Sequence, residues 1–197
     1  MNRILLASRN SKKLLELRRI LTPSVPGLEV VGLDDVAAYD ALPESGATFE
    51  DNALLKAREG YAHSGLPTVA DDSGLAVDAL NGMPGVLSAR WSGRHGDDEA
   101  NLQLVLDQLA DTPDERLGAA FVCAVAFVGP DGETVVHGHM PGRLIREPRG
   151  TNGFGYDPIF VPSGLDRTSG ELPAQQKDAI SHRGQALRAL ANYLLAR

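Results

Sequence analysis

One cysteine in 197 residues, Cys123, leaves no partner for an internal disulfide. It lies inside Phe121-Val122-Cys123-Ala124-Val125, where a thiol packs as a small hydrophobe. An excess of basic charge is missing too. Nineteen Lys and Arg stand against 26 Asp and Glu, a net charge of −7. Nucleic acids and membranes both favour a basic face, so neither is expected as a partner. An anionic substrate then needs a local basic pocket, or a metal, to overcome the overall field. Long apolar runs are absent, so no segment is expected to span a bilayer. The run Met1-Asn2-Arg3-Ile4-Leu5-Leu6 is too short for a signal peptide and has no cleavage site after it, so the expected location is the cytoplasm. Repeats, low-complexity tracts and clear linkers are also lacking. His63, His95, His137 and His139 have no cysteine or carboxylate partner at metal-ligand spacing.

What is present is an ordinary globular composition, 43% hydrophobic and 23% charged, enough to build one domain or two small lobes sharing a sheet. Arg3 to Ser8 reads as a buried strand, Arg9-Asn10-Ser11 as a turn, and Lys12 to Leu21 as a helix with Leu14, Leu15, Leu17 and Leu21 on its apolar side. This strand–turn–helix opening signals an α/β fold. Thr22-Pro23 is expected to stop the helix. Leu28 to Val31 predicts a second strand, and Asp34 to Gly46 is polar and irregular. Thr48-Phe49-Glu50-Asp51 has the capping-box pattern and starts a helix carrying Ala53, Leu54, Ala57 and Tyr61. A strand from Leu66 is expected to end at Ala70, with a separate extended segment from Leu75 to Leu80. Asp98 to Leu109 predicts a helix with Leu102, Val105, Leu106 and Leu109 facing inward. Ala119–Val128 and Glu133–Met140 flank Gly129-Pro130-Asp131-Gly132, a hairpin signal that makes the sheet mixed. Ser181 is placed to cap a last helix, Arg183 to Leu195, with Ala186, Leu187, Leu190 and Leu194 on one face. The expected architecture is α/β, a mixed β-sheet with flanking helices, in two lobes around a cleft.

Five segments carry groups suited to chemistry. Ser8-Arg9-Asn10-Ser11-Lys12-Lys13 lies where a strand meets a helix N-terminus, where N–H groups and lysines favour anions. It lacks the spaced glycines of a P-loop, and most such turns bind nothing. Glu44-Ser45-Gly46 sits in a polar loop from which Glu44 can reach a metal, with Glu50, Asn52 and Lys56 on the helix that follows. Ala70-Asp71-Asp72-Ser73-Gly74-Leu75 ends an apolar run in two carboxylates, a hydroxyl and a glycine. Alone, this is also the composition of an acidic turn. Carboxylates there suit a hard cation or the activation of a water. Successive strand residues face opposite ways, so the two aspartates cannot be equivalent, but periodicity does not say which faces a site. Gly150-Thr151-Asn152-Gly153-Phe154-Gly155-Tyr156-Asp157-Pro158 offers backbone polar groups beside aromatic rings, either for a heterocyclic base or as a turn whose rings plug the core. Lys177 and Ser181-His182-Arg183 gather cations near a helix start, to face a phosphate or a keto oxygen, or simply solvent.

Together, in order and spacing, these segments resemble the noncanonical purine nucleoside triphosphate pyrophosphatases, the inosine triphosphatase (Ham1/RdgB-like) family, over essentially the whole chain. Three blocks carry the likeness: Thr48-Phe49-Glu50-Asp51-Asn52-Ala53 with Lys56-Ala57; Ala70-Asp71-Asp72-Ser73-Gly74-Leu75; and Gly153-Phe154-Gly155-Tyr156-Asp157-Pro158 with Ser181-His182-Arg183-Gly184. The resemblance implies a two-lobed fold with the nucleotide in the cleft, a homodimer, and Mg²⁺-dependent hydrolysis of ITP, dITP and XTP to the monophosphate and pyrophosphate. It implies that Asp72 is the catalytic proton acceptor and a metal ligand, with Glu44 as the other metal-binding acid. It places Ser73, Phe154, Gly155, Tyr156, Asp157, Lys177, His182 and Arg183 in substrate binding. The first turn corresponds to a substrate-binding Thr-Gly-Asn-x-Gly-Lys pattern. Ser8, Arg9 and Lys12 depart from it, Asn10 and Lys13 are retained, and Ser11 fills the variable position. Two alternatives remain: a Maf-like pyrophosphatase for other modified nucleotides, and a nucleotide-binding module without catalysis.

Overall fold

Ile4, Leu5 and Leu6 are buried on both faces of strand β1 (Arg3–Leu6), as a continuous apolar run in a covered parallel strand requires. The structure, a computed structural model, describes residues 3–40 and 42–196. Met1 and Asn2 of the N-terminal run, Ala41 of the polar stretch, and Arg197 lie outside the described residues.

Asn10 ends the first turn by capping helix α1 (Ser11–Ser24), its Oδ1 accepting from the backbone N–H groups of Lys12 (3.0 Å) and Lys13 (3.4 Å). The helix continues past the expected stop, with Pro23 inside it. Proline lacks an N–H, but in the last turn that costs a single bond. The Ser24 hydroxyl and the Val25 N–H close the end on the carbonyls of Ile20 and Leu21. Leu17, Ile20 and Leu21 are buried, whereas Leu15 is 55% exposed. Two residues from Leu17 is about 200° around a helix, so Leu15 leaves the apolar side assigned to it.

β2 (Glu29–Val31) pairs in parallel with β1. Helix α2 (Phe49–Ser64) begins at the predicted capping box. Thr48 Oγ1 accepts from Asp51 N–H, and Asp51 Oδ2 accepts from Thr48 N–H. It ends at Gly65, whose φ of 67° needs no Cβ. Ala53 and Ala57 pack against Ala7, Ala70, Ala124 and Ala126. These short side chains bring the helix close to the sheet, within reach of β3.

β3 (Thr68–Val77) corrects one expectation. A single ten-residue strand runs straight through Asp71-Asp72-Ser73-Gly74 instead of stopping before it. The aspartates are buried and partnered, so their turn preference does not decide. Gly74 fits because a Cβ there would collide with the Gly85 carbonyl and the Ser88 hydroxyl, groups that also bond each other and Leu75 N–H. Gly74→Ala is expected to cost about 1–3 kcal/mol by overpacking, read as a lowered Tm, with Ser73→Ala as the neighbouring control.

Helix α3 (Asp98–Gln108) buries Leu102 and Val105 as predicted. β4 (Gly118–Gly129) and β5 (Gly132–Leu144) are neighbours joined by Pro130-Asp131, a connection only an antiparallel pair allows. Two elements were not foreseen. β6 (Phe160–Pro162) lies antiparallel to β5, and the seven-residue α4 (Ala174–Ile180) precedes α5 (His182–Leu195). Both are too short to show a periodicity. Ser181 stands between the two helices, and α5 buries Ala186, Leu187, Leu190 and Leu194 as read.

The sheet order is β2-β1-β3-β4-β5-β6, parallel among β2, β1 and β3 and antiparallel at β5–β6, which makes it mixed as expected. The chain forms two compact units: Met1–Asp72, Cys123–Gly138 and Arg183–Arg197; and Ser73–Val122 with His139–His182. The first unit centres on Ile4, Leu6, Leu21, Val125, Leu187 and Leu190. The second centres on Leu75, Val105, Phe121, Ile159 and Phe160.

Candidate active site

Strand alternation separates the two aspartates of β3. Asp71 joins a buried ion network on the side of α1 and α5. Its Oδ2 lies 2.9 Å from Lys13 Nζ and 3.1 Å from Arg183 Nε, and Arg183 Nη1 lies 2.6 Å from Glu16 Oε2. Burial alone raises a carboxyl pKa, but Lys13, Arg183 and Lys56 outweigh it and hold Asp71 far below the usual range. The Arg183 guanidinium is held charged despite its burial, chiefly by Asp71 and Glu16. Cys123 is buried beside this network, and burial, with the Asp71 charge, pushes its thiol up to about 12. The thiol thus stays protonated at neutral pH, packed as a small hydrophobe in its apolar run.

Asp72 faces α2 instead. Its Oδ1 accepts from Lys56 Nζ at 3.2 Å and its Oδ2 from Asn52 Nδ2 at 3.1 Å. Burial raises its pKa, Glu44 adds to the rise, and Lys56 opposes it. Lys56 also donates to Glu44 Oε1 at 2.8 Å. One ammonium therefore bridges the two acids assigned to a metal. Burial works against that charge, but Asp72, Asp71 and Glu44 overcome it and keep Lys56 protonated. Among the described residues, no group of three or more His, Cys, Asp and Glu converges as a ready-made metal site. Two hard carboxylates holding a cation between them still fit Mg²⁺, which is usually bound by one or two carboxylates with water and substrate phosphates.

The first turn is internally bonded. Ser8 Oγ accepts from Asn10 N–H, and Asn10 caps α1, so these two shape the turn. Arg9, Ser11 and Lys12 are exposed, and Lys13 reaches Asp71. The helix N-terminus thus already has two of its N–H groups satisfied by Asn10.

In the second unit, Asp157 organises the glycine-aromatic block. Its buried carboxylate accepts from Phe154 N–H at 2.8 Å and pairs with the Lys177 ammonium. Lys177 lies over the Phe154 ring, 5.3 Å from its centroid. Gly155 N–H donates to Asp98. Gly153 (φ 77°) approaches so closely that a Cβ would run into the Asp157 carboxylate. The two aromatics divide the readings between them. Tyr156 plugs the core, its hydroxyl donating to the Ser88 carbonyl, while Phe154 stays half-buried. His182 is buried and stacked on Phe121, with ring centroids 4.9 Å apart and planes at 10°. Ser73 is half-buried in β3. Lys177 and Arg183, close in sequence, serve different carboxylates, Asp157 and Asp71.

A protein-family model described as the Ham1 family matches residues 4–193, nearly the whole chain. The chain belongs to the Ham1 family. It is 65% identical over 198 residues to a dITP/XTP pyrophosphatase of Nocardia farcinica, covering 100% of this chain and 96% of that one. A dITP/XTP pyrophosphatase of Mycobacteroides abscessus is 66% identical over 190 residues, 95% of this chain and 92% of its own. Among solved structures, a HAM1 protein from Coxiella burnetii superposes with a TM-score of 0.89 at 42% identity, each chain fully covered. A nucleoside-triphosphatase / dITP/XTP pyrophosphatase from Mycobacterium abscessus gives 0.78 at 65% identity, covering 95% of this chain and 98% of that one.

This Ham1-family chain uses two side chains for which the sequence reading named no role, Asn52 and Lys56. They stand four apart on α2, so both lie on one helix face. That spacing after a capping box, opposite a strand carrying carboxylates, was the available signal.

Proposed function

We propose that this chain hydrolyses noncanonical purine nucleoside triphosphates, ITP, dITP and XTP, to the monophosphate and pyrophosphate. The observation that carries the reading is the split of the aspartate pair. Asp71 is held by an ion network, and Asp72 is left beside Glu44 and Lys56 as a carboxylate for chemistry. The Ham1 membership and the dITP/XTP pyrophosphatase relatives support it.

In this reading Asp72 accepts a proton from water as the water oxygen bonds to the α-phosphorus. The bond from that phosphorus to the bridging oxygen breaks, and pyrophosphate leaves with the electron pair. A positioned base of this kind contributes about 10²–10⁴-fold. Glu44 and Asp72 would hold the cation, Mg²⁺, which would supply neutralisation of phosphate charge as it develops. Arg9, Ser11, Lys12 and Lys13 meet the triphosphate, on the turn shaped by Ser8 and Asn10, and Ser73 adds a hydroxyl. The purine stacks on Phe154 in the frame set by Gly155, Tyr156, Asp157 and Lys177. His182 and Arg183 contribute to nucleotide binding, with Arg183 or the backbone N–H groups near Phe154 as donors to the 6-keto oxygen. Adenine presents an amino donor there, so a site built of donors rejects it. A homodimer in the cytoplasm completes the reading. Among the described residues, no helix is long and apolar enough to cross a membrane.

The test is incubation with Mg²⁺ and ITP, XTP, ATP, GTP or dTTP, with the products identified. IMP and pyrophosphate are expected from ITP, with kcat/KM for ITP exceeding that for ATP by about 10²-fold or more. Orthophosphate release, or equal turnover of ATP, overturns the reading. Pyrophosphate release from dTTP in preference to ITP points to the Maf-like alternative for other modified nucleotides, and binding without turnover to a regulatory module.

A further inference from the structure

The Glu44 loop and β3 meet the same face of α2 through two side chains one turn apart. Lys56 makes the charged contact. Asn52 makes a second, uncharged one, and it is fully buried. Its Oδ1 accepts from the backbone N–H of Gly46 at 2.8 Å, and its Nδ2 donates to Asp72 Oδ2 at 3.1 Å. The two bonds fix each other. An amide oxygen facing an N–H leaves the amide NH₂ to face the carboxylate, so Asn52 cannot flip without losing both. Gly46 is part of the same joint. A Cβ on it would lie 2.6 Å from Asp51 Cβ and 2.7 Å from Asn52 Oδ1, too close for any other residue to keep the approach.

The two oxygens of Asp72 therefore have different holders. Oδ1 is held by the Lys56 ammonium, a point charge at the end of a four-carbon stem. Oδ2 is held by a short, buried, two-bond amide. We propose that Asn52 is a positioning residue for the Glu44–Asp72 pair: it ties the Glu44 loop to Asp72 so that the two carboxylates stay together when Lys56 yields its place to the cation. Asp72 Oδ1 is then the oxygen given over to the cation, and Oδ2 stays capped. The inference rests on the proposed function, since it presumes that the pair binds a divalent ion. Hydrogen-bonded supports of metal-binding carboxylates change affinity or activity by about 10–100-fold when removed.

The experiment is a Mn²⁺ titration of the nucleotide-free protein, followed by paramagnetic broadening of the backbone amide signals of residues 44–46 and 71–73. It is paired with steady-state kinetics on ITP. In the parent, both segments are expected to broaden at one Mn²⁺ concentration. In Asn52→Ala, half-broadening should need about 10–100-fold more Mn²⁺, and kcat should fall with KM for ITP unchanged, a split that general loss of structure does not produce. Gly46→Ala attacks the same joint from the loop and removes no buried group. It should reproduce the shift, and it stands in if Asn52→Ala does not fold. Variants that broaden at the parent's Mn²⁺ concentration overturn the inference and leave the functional reading intact. A parent that neither broadens at these amides nor hydrolyses ITP overturns both.

Discussion

Asp72→Asn is expected to abolish turnover of ITP and to leave thermal stability equal to or above that of the parent. The activity loss follows from the roles assigned to the carboxylate. A general base is worth about 10²–10⁴-fold, and losing one of only two carboxylates for the cation adds to that. The stability result follows from the sign of the pKa shift. Burial raises the Asp72 carboxyl above its ordinary range, so its ionised form is less favourable in the folded than in the unfolded chain. At neutral pH the burial of this charge works against folding, and a neutral amide of the same shape removes that opposition while Glu44 keeps Lys56 paired. The substitution keeps one bond and loses one. The new amide can present its oxygen to Lys56 or to Asn52, leaving a donor facing the other. Pyrophosphate release and a melting curve on the same preparation check both halves. Turnover within tenfold of the parent, or a markedly lower Tm, would sink the assignment.

How much of this was legible beforehand depends on range. Local chemistry read through well. Thr48 and Asp51 formed their capping box, Gly129-Pro130-Asp131-Gly132 made a hairpin, and the apolar faces of the third and last helices were buried as read. Alternation along β3 predicted that Asp71 and Asp72 would differ. It could not say which was which, because that depends on what covers each face. Lys13 and Arg183, from α1 and α5, meet Asp71, and Asn52 and Lys56, from α2, meet Asp72. Those partners lie between 16 and 112 residues away in sequence. The expected break at the carboxylates failed for the same reason. Turn propensity is a weak local preference, and buried ion pairs and the close approach at Gly74 overrode it. Asn10, singled out in the sequence for substrate binding, visibly serves as the cap of α1.

Asp71→Asn is expected to do the opposite of its neighbour, destabilising the protein strongly. Removing one partner of a buried ion pair leaves the other charge uncompensated, at a cost of about 3–5 kcal/mol. Here two cations, Lys13 and Arg183, lose their shared carboxylate, and Glu16 remains opposite the buried guanidinium. At roughly 2–4 °C per kcal/mol for a chain of this size, the Tm falls by about 6–20 °C. The pH dependence has a definite sign. Asp71 is held far below its ordinary pKa in the folded state, so its contribution is fully present above the unfolded value of about 3.9 and is lost as pH falls below it. The stability gap between parent and Asp71→Asn, read from denaturant midpoints, should be widest near neutrality and narrow below about pH 4. A gap that widens with acid would refute the ion-pair account. Because Asp71 and Arg183 act through one contact, Arg183→Met should cost less in the Asp71→Asn background than in the parent. Equal costs would mean that Arg183 is held by Glu16 and its packing alone, and that the carboxylate beside Asp72 is there for something other than the fold.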